Sequence, residues 1–209
     1  MLVGLVSIPI LIRAMGADRF GILTLAWALI GYTSLFDLGL GRALTKVVAE
    51  KVGTSDRGQI PELFWGSMFL LAGLALLAAR LIVGLTPLLV RILQMPSSLR
   101  AEARSCFYLL GSCTPFVIAA PGLRGMPEAL QRFDLVNAVR LPSGAFMYAR
   151  PLLVLPFSHG LPAVVMVLVL GRAAVCLVQL LLCFQVMPDL RRAVRPRASL
   201  LRPLVHMGS

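Results

Sequence analysis

Acidic residues are scarce. Nine Asp and Glu stand against twenty Lys and Arg, and histidine occurs only twice in 209 residues. Chemistry that needs paired carboxylates, a Ser-His constellation or a cluster of His, Asp and Glu around a metal has little to draw on, and no such grouping occurs along the chain. Cysteine is nearly as sparse: Cys106 and Cys113 lie in one apolar block, Cys176 and Cys183 in another. A seven-residue separation on one helix is about 10 Å, too far for a disulfide, and no CxxC spacing is present. All four cysteines therefore read as small buried apolar side chains. Neither a metal nor a cofactor is expected.

Charge as a whole is thin. Only 14% of residues are charged, where a soluble domain carries about a quarter, and 58% are hydrophobic. Mean hydropathy is +0.88. Three runs, Phe20 to Phe36, Leu63 to Ala79 and Ser105 to Leu123, contain no charge at all. At about 1.5 Å rise per residue each nearly crosses a hydrocarbon layer of about 30 Å. The fold class is an all-α integral membrane bundle. A net charge of +11 raises the question of nucleic acid. The basic residues, however, sit in short connections between apolar blocks, with no aromatic-interleaved basic face, so nucleic acid is excluded as a partner. The positive-inside rule accounts for them instead.

Six spanning helices are expected across residues 1–209, at about 1–12, 19–48, 63–83, 103–123, 141–157 and 161–187. The first apolar run is too short to span before Arg13 and reads as the second half of a helix whose beginning is absent. Its basic residue follows the apolar run, which a signal peptide would reverse. Met15-Gly16-Ala17-Asp18 reads as a turn with Asp18 capping the next helix. Gly84 to Arg100, with Pro87 and Pro96, reads as an interfacial segment, and Pro115 and Pro121 are expected to bend the fourth helix. Arg124 to Arg140 reads as a loop. The link Ser158-His159-Gly160 makes the last two helices antiparallel. If the spans alternate, one side collects Arg42, Lys46, Lys51, Arg57, Arg124, Arg132, Arg140 and the five arginines after Met187, twelve in all. The other collects Arg13, Arg19, Arg91, Arg100 and Arg104. The twelve-residue side should face the cytoplasm.

The run IPILIRAMGADRFGILTLAWALIGYTSLFDLGLGRALTKVVAE, from Ile8 to Glu50, resembles the opening of bacterial polysaccharide-biosynthesis transporters of the O-antigen or oligosaccharide flippase type. PILIRAMGADRFG and FDLGLGRALTK carry the likeness. GLRGMPEALQRFDLVNAVR, from Gly122 to Arg140, is similar to the loop between helices four and five of that family. The wider superfamily includes multidrug exporters and lipid II flippases, built from two six-helix lobes facing a central cleft. The resemblance implies the first of those lobes, in the bacterial inner membrane, with a missing second lobe or companion chain and membrane lipids as partners. It implies no enzyme. The implied cargo is a polyprenyl-diphosphate-linked glycan, moved from the cytoplasmic to the periplasmic face.

Such cargo needs a polar cavity between helices and cations for its phosphates, which intramembrane arginines supply through bidentate hydrogen bonds. Arg172, eleven residues into the sixth helix and about 16 Å from its start, is the first candidate for substrate binding. Arg150 is the second; Arg80 reads as a snorkelling residue. Asp37, Gly39, Gly41 and Arg42 read as a packing or conformational element. Arg124, Glu128 and Arg132, at i, i+4 and i+8, read as a salt-bridged cytoplasmic face. Three other readings stay open: a drug or small-solute exporter of the same superfamily, a membrane enzyme of polysaccharide assembly, and a remnant without transport of its own. The exporter reading would call for an acid inside the membrane, and none lies mid-helix.

Overall fold

The computed structural model describes residues 2–33, 39–54, 57–92, 96–154 and 160–191. Among these every regular element is helical: α1 Leu2–Met15, α2 Ala17–Thr33, α3 Leu40–Gly53, α4 Ile60–Ile92, α5 Arg100–Ala129, α6 Phe133–Val154 and α7 Leu161–Val186, with short 3-10 turns at Arg57–Gln59 and Pro188–Arg191. Asp37, His159 and the arginines beyond Arg191 lie outside the described residues.

Helix α5 is the axis of the bundle. It packs against α4, α7, α3, α2 and α6, while α1 lies on α6 and α2. Toward the Arg100 end, Ile22, Leu23, Ala26 and Ile30 of α2 meet Cys106, Leu110 and Cys113 of α5 and Leu161, Val164, Val165 and Leu168 of α7. Toward the Ala129 end, Leu44 and Val48 of α3 meet Phe64 of α4, Met126 of α5 and Cys183 of α7. The cysteines are free; Cys106, Cys113 and Cys183 are buried as expected, while Cys176 is only half-buried.

Several expected boundaries change. The single helix expected over 19–48 is two helices, α2 and α3, because Gly39 takes the left-handed conformation at φ 74°, which no helix continues through. The helix expected at 63–83 runs on to Ile92 through Pro87, so Gly84 to Ile92 continues α4 rather than forming a separate segment. Proline is tolerated in membrane helices where other groups satisfy the backbone. One such case is visible here. Pro127, inside α5, has no N–H to donate to the carbonyl of Leu123, and the Cys183 thiol donates to that oxygen at 3.0 Å instead. The loop expected over 124–140 contracts to Leu130–Arg132 between α5 and α6. Gln131 makes the reversal at φ 56°, with its N–H donated to the Glu128 carbonyl at 3.0 Å and that of Arg132 to Pro127 at 2.9 Å. Asp18 is in the first turn of α2 rather than at its cap, where a carboxylate acts on the helix dipole.

Among the described residues three helices, Ile60–Ile92, Arg100–Ala129 and Leu161–Val186, are long and apolar enough to cross a membrane. Only 22% of the apolar window of α4 is buried. Its outer side displays Phe69, Leu76, Leu77, Leu81, Leu85 and Leu88, and α7 displays Met166, Leu170, Leu177 and Leu181. Water would penalise so continuous an apolar surface, and hydrocarbon does not. The chain is a membrane-embedded bundle of α-helices, as its composition implies.

Candidate functional site

Arg172 and Arg150 come together. A cleft between three helices is lined by Trp27 and Ile30 of α2, Ser143, Met147 and Arg150 of α6, and Leu168, Arg172 and Val175 of α7. Its volume is about 20 Å³, room for roughly one water. Arg172 is half-buried, and its Nη2 donates to the Met147 sulfur at 3.6 Å.

Arg150 does not turn outward along its own helix. Its guanidinium lies against buried Gly171 on α7, in the volume that a Cβ at that position would fill. Gly171 is thus the saddle that admits Arg150, and any side chain there would displace the cation. Neither arginine has a carboxylate partner among the described residues, where the ion pairs are Arg19–Glu102, Arg124–Glu128 and Arg132–Asp134. A charge at the middle of a membrane helix costs about 3 kcal/mol on the lenient insertion scale, and two like charges side by side add repulsion. The arrangement is short of negative charge. Gly171 carries no motif of its own; a glycine immediately before a mid-helix arginine is the only sequence signal for it.

Of the second group, Gly41 lies in a seam between α3 and α5. A Cβ on Gly41 would lie 2.7 Å from Pro121 Cβ and 3.0 Å from its carbonyl carbon. One turn further on, a Cβ on Gly125 would lie 2.6 Å from the Thr45 hydroxyl, which already donates to the Gly41 carbonyl at 2.9 Å. The pairs 41–121 and 45–125 advance together, so α3 and α5 run parallel with their backbones in near contact, the small-residue packing typical of membrane helices. Gly39 starts α3 and Arg42 points outward from it.

The third group separates. Arg124 Nε pairs with Glu128 at 3.1 Å along α5, but Arg132 lies past the end of that helix and grips Asp134 on α6, at 2.9 Å through Nη2 and 3.0 Å through Nε. The i, i+4, i+8 face expected over these residues is therefore cut at Ala129. Backbone reversal at Gln131 is the reason.

Other anchors were not apparent from sequence. Trp65 Nε1 donates to the Leu190 carbonyl at 2.8 Å, tying the 3-10 turn after α7 back to α4. Arg191 stacks over Phe184 at 5.6 Å. Among the described residues no group of His, Cys, Asp and Glu could hold a metal.

Comparison with known proteins gives the geometry its context. A protein of Shigella flexneri named "Putative O-antigen transporter" is 25% identical over 177 residues, which cover 85% of this chain and 42% of the relative. The chain thus spans less than half the length of that protein. No solved structure matches this chain. The family described as "Polysaccharide biosynthesis protein" matches residues 1–123, from α1 through most of α5, including the Gly41–Pro121 contact of the seam but not Gly125. By that match over more than half its length, the chain belongs to the polysaccharide biosynthesis protein family.

Proposed function

We propose that this chain is one lobe of an inner-membrane transporter that moves a polyprenyl-diphosphate-linked glycan from the cytoplasmic to the periplasmic face, with Arg172 and Arg150 holding the diphosphate. The observation that carries the reading is the convergence of two half-buried guanidiniums, contributed by α7 and α6, on a cleft without a carboxylate. Guanidinium forks match phosphate oxygens bidentately, and a diphosphate supplies the negative charge that the pair lacks. Family membership and the transporter name of the Shigella relative support transport over catalysis. Both arginines lie beyond residues 1–123, so the family match does not itself speak for them.

A cleft with room for one water admits no sugar. In this reading it is the closed state, and the lipid-linked cargo enters when α2 separates from α6 and α7 or when a second lobe supplies the facing wall. A proton- or cation-coupled drug exporter fits less well. The acids among the described residues, Asp18, Glu50, Glu62, Glu102, Glu128, Asp134 and Asp189, all lie near helix ends.

The test is translocation of lipid-linked oligosaccharide, measured per folded protein in the complete two-lobe transporter. Arg172→Ala should abolish it without reducing insertion or abundance. Arg172→Lys should retain part of the activity if charge suffices, and little if the planar fork is required. Wild-type translocation by well-folded Arg172→Ala would remove this residue from the site.

A further inference from the structure

A second basic cleft lies elsewhere in the bundle, at the end where α4 finishes and α5 begins. It is lined by Pro87, Val90 and Arg91 of α4 and by Arg100 and Arg104 of α5, with a volume of about 270 Å³. That is room for many waters, where the cleft of Arg150 and Arg172 holds about one. From sequence, these three arginines count only toward topology. The fold brings them to one opening.

We propose that this cleft binds the phosphate of an anionic membrane phospholipid. The charge balance is the first argument. Glu102, the acid in the first turn of α5, is directed to Arg19 of α2 at 2.9 Å and is not available to the cleft. Arg91 and Arg104 have no carboxylate or hydrogen-bond partner among the described residues, and all three arginines are exposed. Arg100 and Arg104 stand one helical turn apart on α5, so their side chains share a face.

The apolar lining separates a lipid from a soluble anion. Pro87 and Val90 form the wall nearer the body of α4, and the adjoining outer surface of that helix exposes Leu85, Leu88 and Ile92. A site whose cations stand at a helix end, with apolar surface running from them along the membrane-crossing segment, has the two-part character of a phospholipid at the interface. Its phosphate meets the arginines and its acyl chains follow α4. Free phosphate would leave that apolar surface unused. The inference is independent of the cargo assigned to Arg150 and Arg172.

The experiment is native mass spectrometry of the purified full chain in mild detergent, titrated with phosphatidylglycerol or phosphatidylcholine of the same acyl length. Wild type should retain phosphatidylglycerol at least tenfold more tightly. Each arginine removed should weaken that retention about fivefold, so Arg91→Ala/Arg104→Ala should bind the two lipids alike, while Lys46→Ala at the other end of the bundle leaves the preference intact. Arg91→Lys/Arg104→Lys, which keeps both charges, should retain most of the preference and guards against loss of fold in the alanine variant. Inorganic phosphate in excess should not displace the lipid. Equal binding of the two lipids by wild type, or an undiminished preference in the folded alanine variant, would overturn the proposal. Displacement by inorganic phosphate would overturn the lipid assignment in favour of a soluble-anion site.

Discussion

Gly41→Ala tests the α3–α5 seam with a single methyl group. On an exposed helix position this substitution stabilises by up to about 1 kcal/mol, because alanine restricts the unfolded chain and favours the helix. Here the new Cβ would sit 2.7 Å from Pro121 Cβ and 3.0 Å from Pro121 C, when ordinary contact begins near 3.4 Å. Neither atom can rotate away: one belongs to a closed ring and the other to the main chain of α5. The helices must separate by ~0.7 Å, and a gap of that order forfeits a quarter to a half of the dispersion energy along the contact. The buried face of α3, Leu40, Ala43, Leu44, Val47 and Val48, bears that loss. Overpacking of this kind costs about 1–3 kcal/mol, which outweighs the propensity gain and leaves a net loss of about 1–2 kcal/mol. At about 2–4 °C per kcal/mol for a chain of this size, the melting temperature should fall by about 2–8 °C. Gly73→Ala is the control, since a Cβ there meets nothing within 4 Å on a helix of the same bundle, and it should hold or raise the melting temperature. The assay is thermal unfolding of the detergent-purified chain. If Gly41→Ala melts at or above wild type while Gly73→Ala behaves as stated, the close approach of α3 to α5 is refuted.

Two further outcomes are expected. Trp65→Phe keeps an aromatic side chain but removes the indole N–H that donates to the Leu190 carbonyl, so stability should drop by about 1–2 kcal/mol and limited proteolysis should release the segment after α7 sooner; unchanged proteolysis would show that the anchor lies elsewhere. For topology, Thr54→Cys and Gln131→Cys, both exposed and on the Ala129 side of the bundle, should react with an impermeant thiol reagent from the cytoplasm, and Ser97→Cys from the opposite face. The reverse labelling pattern would invert the proposed direction of transport.

Much of this architecture is legible in the chain, because hydrocarbon imposes one requirement on every residue that crosses it. Uncharged runs locate α2, α4 and α5. Helix ends are less legible. Proline and glycine stop helices in water, yet α4 continues through Pro87 and α5 through Pro115, Pro121 and Pro127. At Pro127 the Cys183 thiol takes up the carbonyl that the proline leaves unpaired. The reversal at Gln131 was hidden for a different reason. Glutamine is not a residue that favours the left-handed conformation, so nothing local marks the point where Arg132 leaves α5 and pairs with Asp134. Arg172 and Arg150 can be singled out by their cost in the membrane, but their convergence cannot: it depends on Gly171, and on how α6 lies against α7, which is a tertiary fact. The cleft at Arg91, Arg100 and Arg104 was hidden in plain counting, since topology treats charges as a sum and binding depends on where they meet.

The length of α4 has a consequence for the bilayer itself. Its 33 residues make a rod of about 50 Å, while a hydrocarbon layer is about 30 Å thick and the bilayer with its headgroups about 40–45 Å. Upright, its exposed apolar stretch from Phe69 to Leu88, about 29 Å long, just fills the hydrocarbon and its ends reach past the headgroups. In any thinner layer it must lean, and α5, packed along it, leans too. Acyl-chain length therefore acts on this protein as a mechanical variable. A thin bilayer forces a steeper lean and brings Arg80, exposed part-way along the rod, nearer the surface; a thick one draws it inward at a cost.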